Sequence, residues 1–113
     1  MVAFVNGVNL ENWVVSENTL RIQDLLRNFC DALENLGKSN ITKETREFIT
    51  NYIDENDEFF GSGDGGQSAE SWAFVLYDEL ESNLNSIAVD NDLFFGALEN
   101  DGSCFGFWKY EEY

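Results

Sequence analysis

Histidine and proline are absent from this 113-residue chain, and from Glu47 to Trp108 there is no lysine or arginine either. Without histidine, triads and histidine general bases are excluded. Zinc is poorly served as well, because the only two cysteines, Cys30 and Cys104, stand far apart. No apolar run approaches the roughly 20 residues that span a bilayer. Met1 to Val8 lacks the basic start and long apolar core of a signal peptide. The expectation is a cytoplasmic protein with two free thiols, a single disulfide remaining open. No phosphate-cradling loop is present: Gly61-Ser62-Gly63-Asp64-Gly65-Gly66 lacks the Gly-Lys-Ser/Thr ending and follows no strand.

What is there is acid. From Glu47 to the end there are sixteen Asp and Glu against one base, Lys109, a charge of −15. Residues 1–46 hold six acids and five bases, a charge of −1. Nearly all of the formal −16 therefore sits on one half of the chain. Self-repulsion of this size opposes compaction, and a surface serving only solubility would intersperse the two signs. Nor is this a disordered acidic tail, since 43% of the residues are hydrophobic and 15% aromatic, enough to build a core. One domain over 1–113 is expected. There is no internal repeat, and no linker is long enough to argue for a second unit.

Taken in order, residues 2–5 are short and apolar and precede an Asn6-Gly7 turn, while Asn9 to Val15 is ambiguous between strand and helical turn. Ile22, Leu25, Leu26, Phe29, Leu33 and Leu36 recur at helical spacing, with Ser16 or Asn18 as cap and Gly37 as stop. Asp24–Arg27 and Arg27–Asp31 have the spacing of intrahelical ion pairs. A second helix begins near Asn40 or Thr42 and buries Ile41, Phe48, Ile49, Tyr52 and Ile53. Asp54 to Ser68 reads as a mobile, glycine-broken loop. Ser68 then caps a third helix, Ala69 to about Asn85, with Ala69, Trp72, Ala73, Leu76, Leu80 and Leu84 on its apolar face. Phe74 falls on the polar face and is expected to pack on a second layer, the alternative being an exposed interface anchor.

Residues 93–99 and 103–110 flank Asn100-Asp101-Gly102 and predict a hairpin with Asp101-Gly102 central in a type I′ turn. That turn pairs Leu98 with Phe105, Gly96 with Phe107 and Phe95 with Trp108. A third strand from residues 2–5 or 9–15 would support it, since an isolated hairpin is marginal; left uncovered, its outer face would suit a homodimer. The predicted fold class is α+β: about three helices on a small antiparallel sheet ending in a C-terminal hairpin.

Carboxylate pairs could serve a glycosidase, but acids this abundant pair by chance, and no enzymatic activity is expected. An EF-hand requires oxygen ligands at loop positions 1, 3, 5 and 12 with glycine at 6. Gly61 at position 6 puts Phe60 at 5, Gly63 puts Phe60 at 3, and Gly66 puts Gly61 at 1, so every register fails. An irregular calcium site from Asp54, Asp57, Glu58 and Asp64 remains as an alternative; no cofactor or metal is otherwise expected.

A pI near 4.1 opposes binding to nucleic acid or anionic membrane and calls for a basic partner. Carboxylates in rows can stand in for phosphates, and arginine accepts either group bidentately. The leading expectation is a nucleic-acid mimic that occupies the basic groove of a DNA- or RNA-binding protein. Its candidate residues are Asp54, Glu55, Asp57, Glu58 and Asp64 on the loop, Glu70, Asp78, Glu79 and Glu81 on the third helix, and Asp90 and Asp92 after it. Phe59, Phe60 and Phe74 are candidate apolar anchors. In size and charge the chain is similar to the small acidic proteins that phages and mobile elements use against restriction, CRISPR or DNA-repair enzymes; the resemblance is one of composition, and it implies action inside a bacterial host cell. An immunity or antitoxin protein binding a basic nuclease would use the same physics.

Overall fold

The computed structural model describes residues 4–61, 68–98 and 101–109. It is an α+β fold of three helices, a two-stranded ribbon and a three-stranded antiparallel sheet. β1 (Phe4–Val5) and β2 (Val8–Asn9) pair across Asn6 and Gly7, whose φ of 51° and 79° supply the positive values a tight hairpin turn needs. The Asn6 amide donates to Asn35 O (3.1 Å), which ties this ribbon to the end of α1. β3 (Val14–Ser16), at the end of the 9–15 stretch, provides the expected third strand, with Val14 facing Gly106 and Ser16 facing Phe105.

α1 (Ile22–Asn35) is the central helix, touching α2, α3 and β3. Its predicted apolar stripe is buried throughout, and Phe29, Leu26 and Leu33 are wholly inaccessible. Neither expected cap acts. Ser16 is buried in β3 and its hydroxyl accepts from the Asn28 amide (2.9 Å). Instead the Thr19 hydroxyl accepts from Arg21 N (3.2 Å) and donates to Asp24 (2.7 Å), bracing the first turn. The stop is as expected: Gly37 takes φ +80°, with Gly37 N donating to Glu34 O and Lys38 N to Leu33 O, the paired bonds of a Schellman motif.

α2 (Ser39–Tyr52) buries Phe48 and also Thr42 and Thr45, two positions that apolar spacing could not reveal. Ser68 caps α3 as predicted, accepting from Ser71 N (3.2 Å). α3 (Ala69–Asp90) runs past Asn85, because Ala88 continues the buried stripe one turn beyond Leu84.

β4 (Leu93–Leu98) and β5 (Asp101–Lys109) pair as expected, but in a different register. Phe95 faces Phe107 and Gly96 faces Gly106, one residue away from the predicted pairing. Asp101 is already in the strand, opposite Leu98, and Gly102 has no positive φ, so the type I′ turn at Asp101-Gly102 is not formed. The shift is absorbed between Ala97 and Leu98, which face Phe105 and Asp101. A one-residue slip exchanges the faces: Phe95, Phe105 and Phe107 turn inward, and the first two close on Phe29 at centroid distances of 5.2 and 5.6 Å. Trp108 turns outward over Gly106, its indole N–H donating to Gly96 O (2.9 Å). The outer face is thus covered in part from within the sheet, whose order is β3-β5-β4. A second aromatic group of Phe48, Tyr52, Phe59 and Trp72 joins α2, the following loop and α3. Cys30 and Cys104 are buried and form no disulfide, and burial pushes Cys30 up to about 12.

Candidate acidic interface

The basic residues come first, because they decide which acids are neutralised. Arg21 bridges Asp24 (2.7 Å) and Asp57 (3.0 Å), and Arg27 reaches Asp57 (2.8 Å). Arg46 on α2 pairs with Asp31 and Glu34 of α1, the latter at 2.9 Å, and Lys109 with Glu11 at the same distance. The predicted intrahelical pairs of Arg27 are therefore replaced by a tertiary one, since Asp57 arrives on a loop that packs against the same helix. Hydrogen bonds from arginine hold three carboxyls below their usual range: Arg27 acts on Asp57, Arg21 on Asp24 and Arg46 on Glu34. Among the described ion pairs, Asp57 and Lys109 are the only participants from the acid-rich half.

The described part of the loop after α2 is tied together by hydrogen bonds. Asp54 N donates to Glu58 O (2.9 Å), while Asp54 Oδ1 accepts from Asn56 N (2.8 Å) and Glu58 N (3.0 Å). Gln23 donates to Asp57 O (2.7 Å), and Ile53 bridges Phe59. Asp54 and Asp57 therefore hold the loop rather than project from it, and Phe59 packs half-buried on Phe48. Glu55, Glu58 and Phe60 are exposed. Asp64 lies outside the described residues.

α3 is different. Over 22 residues it carries Glu70, Asp78, Glu79, Glu81 and Asp90 and no base. Glu70, Asp78, Glu79 and Asp90 are exposed, as is Asp92 in the turn beyond. Glu81 is half-buried and accepts from the Tyr77 hydroxyl (2.8 Å), whose own ionisation is pushed up first by burial and then by that carboxylate. Phe74 does not pack on a second layer. It is 52% exposed, and its neighbour Val75 is 53% exposed, because the core lies on the opposite side of the helix.

Between α2 and α3 lies an open groove of about 580 Å³ with Glu44 and Glu47 from one wall and Glu79 from the other; Ile41 and Lys43 also line it. Glu44 and Glu47 were not among the sequence candidates, since α2 read as a mixed-charge face. The available signal was that Glu47 begins the base-free stretch. Among the described residues no group of three or more acids or cysteines gathers as a cation site; of the irregular calcium set, Asp57 is held by two arginines and Asp64 lies outside the described residues. No helix among them is long and apolar enough to cross a membrane.

No family model matches the chain, and comparisons with characterised proteins and with solved structures return no match.

Proposed function

We propose that this chain is a non-catalytic inhibitor that presents carboxylates in place of nucleic-acid phosphates and blocks the basic surface of a nucleic-acid-binding protein, in the manner of anti-defence proteins of phages and mobile elements. The observation that carries the reading is the segregation of charge. Four of the six bases pair with acids close to α1 or, for Lys109, on the sheet side, whereas among the described residues the acids of α3 form no ion pair.

Magnitude narrows the reading. At about 1.5 Å rise per residue, the 22 residues of α3 span about 33 Å, so its five acids average one per about 7 Å. A single DNA strand carries one charge per about 3.4 Å. α3 alone thus offers about half the linear charge of one strand, and Glu44 and Glu47 raise the density locally beside Glu79. The imitation suits a strand edge in a basic groove better than a whole duplex. Recruitment should be steered and salt-sensitive.

The test is capture from a bacterial lysate on the immobilised protein at low salt, followed by elution with duplex DNA and identification by mass. The proposal expects nucleic-acid-binding proteins that the duplex releases. Captured proteins indifferent to excess duplex would refute it.

A further inference from the structure

The exposed apolar residues of α3 call for an explanation that charge alone does not give. Phe74, Val75 and Val89 are each about half exposed. At about 100° per residue they fall within an arc of about 100° on the outer side of the helix. Glu70 and Asp78 stand one turn to either side of Phe74, and Glu79 stands one turn beyond Val75. The groove with Glu44 and Glu47 borders this arc at the Glu79 edge, about 40° round the helix beyond Val75. A partner offering only cationic groups would leave two adjacent large apolar side chains in water. A purely apolar partner would desolvate the carboxylates without compensation.

We infer that the α2–α3 face docks a basic amphipathic protein segment, with an arginine or lysine head entering the groove between Glu44, Glu47 and Glu79 and an apolar side chain seated on Phe74 and Val75. The inference rests on the polyanion reading and locates its contact surface. It moves that surface away from the 54–58 loop, where Asp57 already binds Arg21 and Arg27 and Asp54 caps its own loop. The long Arg or Lys stem lies along Ile41 while the head meets the carboxylates, a division that suits such side chains. Lys43 at the groove leaves its net charge negative, with three acids against one base.

The test uses the full chain, isotope-labelled for NMR, titrated with two synthetic peptides of equal charge. One places arginines and leucines on the same helical face; the other replaces the leucines by serines. Expected shifts are confined to residues 40–47 and 70–83, and the leucine peptide binds tighter by about tenfold. The F74S/V75S variant should abolish that preference with no change in melting, because both side chains are solvent-facing. E47K/E79K should weaken both peptides by about tenfold or more. Shifts centred on residues 54–60, shifts scattered over every acid, or equal affinity for both peptides would overturn the placement while leaving the polyanion reading intact. No binding of either peptide at low salt would overturn both.

Discussion

Gly96 and Gly106 face each other across β4 and β5, yet alanine at the two positions should behave very differently. A Cβ on Gly106 would stand 2.4 Å from Trp13 O and 2.8 Å from Trp108 Cζ2, whereas a Cβ on Gly96 meets nothing within 4 Å. The Trp13 carbonyl cannot simply turn aside, since it accepts from Phe107 N (3.0 Å), and Asn12 N donates to Phe107 O (3.0 Å) beside it. Ordinary contact begins near 3.4 Å, so β3 must retreat from β5 by about 1 Å. Overpacking of this kind costs about 1–3 kcal/mol, and the two strained hydrogen bonds add about 1 kcal/mol each. The sum for Gly106→Ala is about 3–5 kcal/mol. A chain of this length loses about 4 °C of Tm per kcal/mol, so the variant should melt about 12–20 °C below wild type. Gly96→Ala should stay within about 1 kcal/mol of wild type, with reduced unfolded-state entropy favouring it slightly. Calorimetric melts of both variants make the comparison. Melting points within a few degrees of each other would refute the close-approach reasoning.

Three further outcomes are expected. Asp24, Glu34 and Asp57 are held below their usual range by arginine hydrogen bonds, so their contribution is complete above the unfolded value near pH 4 and disappears as pH falls through the lower folded values. In urea titrations the D24N/E34Q/D57N variant should trail wild type by a constant margin between about pH 7 and 5.5 and converge with it only below about pH 4; a gap that widens on acidification would contradict this. Raising salt from about 10 mM to 0.5 M shortens the screening length severalfold and should raise Tm, because repulsion among unpaired acids outweighs the few ion pairs; a lower Tm would show the pairs dominating. Both thiols are buried and Cys30 is pushed up to about 12, so a thiol reagent at neutral pH should label neither in the native protein and both in guanidinium.

α1 and α3 were legible because each buries a continuous stripe: Ile22 to Leu36 and Ala69 to Leu84 repeat at a spacing that only a helix brings to one side. Caps and turns were legible where a single local conformation answers the residue type, as with Ser68, Gly37 and Asn6-Gly7. Asp101-Gly102 shows the limit of that logic. The dipeptide suits a type I′ turn, but the strand must place Phe105 and Phe107 against Phe29 and bring Gly106 under the Trp13 carbonyl, and tertiary packing overrides turn preference. The ion pairs were illegible for a related reason: Arg27 meets Asp57 only because the loop folds back along α1, whereas spacing arguments see only neighbours on one helix. The acidity of α3 was plain from composition. Which acids stay unpaired was not, because Asp54 and Asp57 differ from Glu55 and Glu58 only in what the folded chain places beside them. The α2 wall of the groove, Glu44 and Glu47, needed the packing of α2 against α3 to appear at all.

The central claim is that unpaired carboxylates on the α2–α3 face stand in for phosphates, and competition on a captured nucleic-acid-binding protein tests it most directly. A labelled duplex bound to that protein should be displaced mole for mole by this chain, with apparent affinity falling by about tenfold or more between 50 and 200 mM salt. Simultaneous binding of duplex and protein, or an affinity indifferent to salt, would contradict the account.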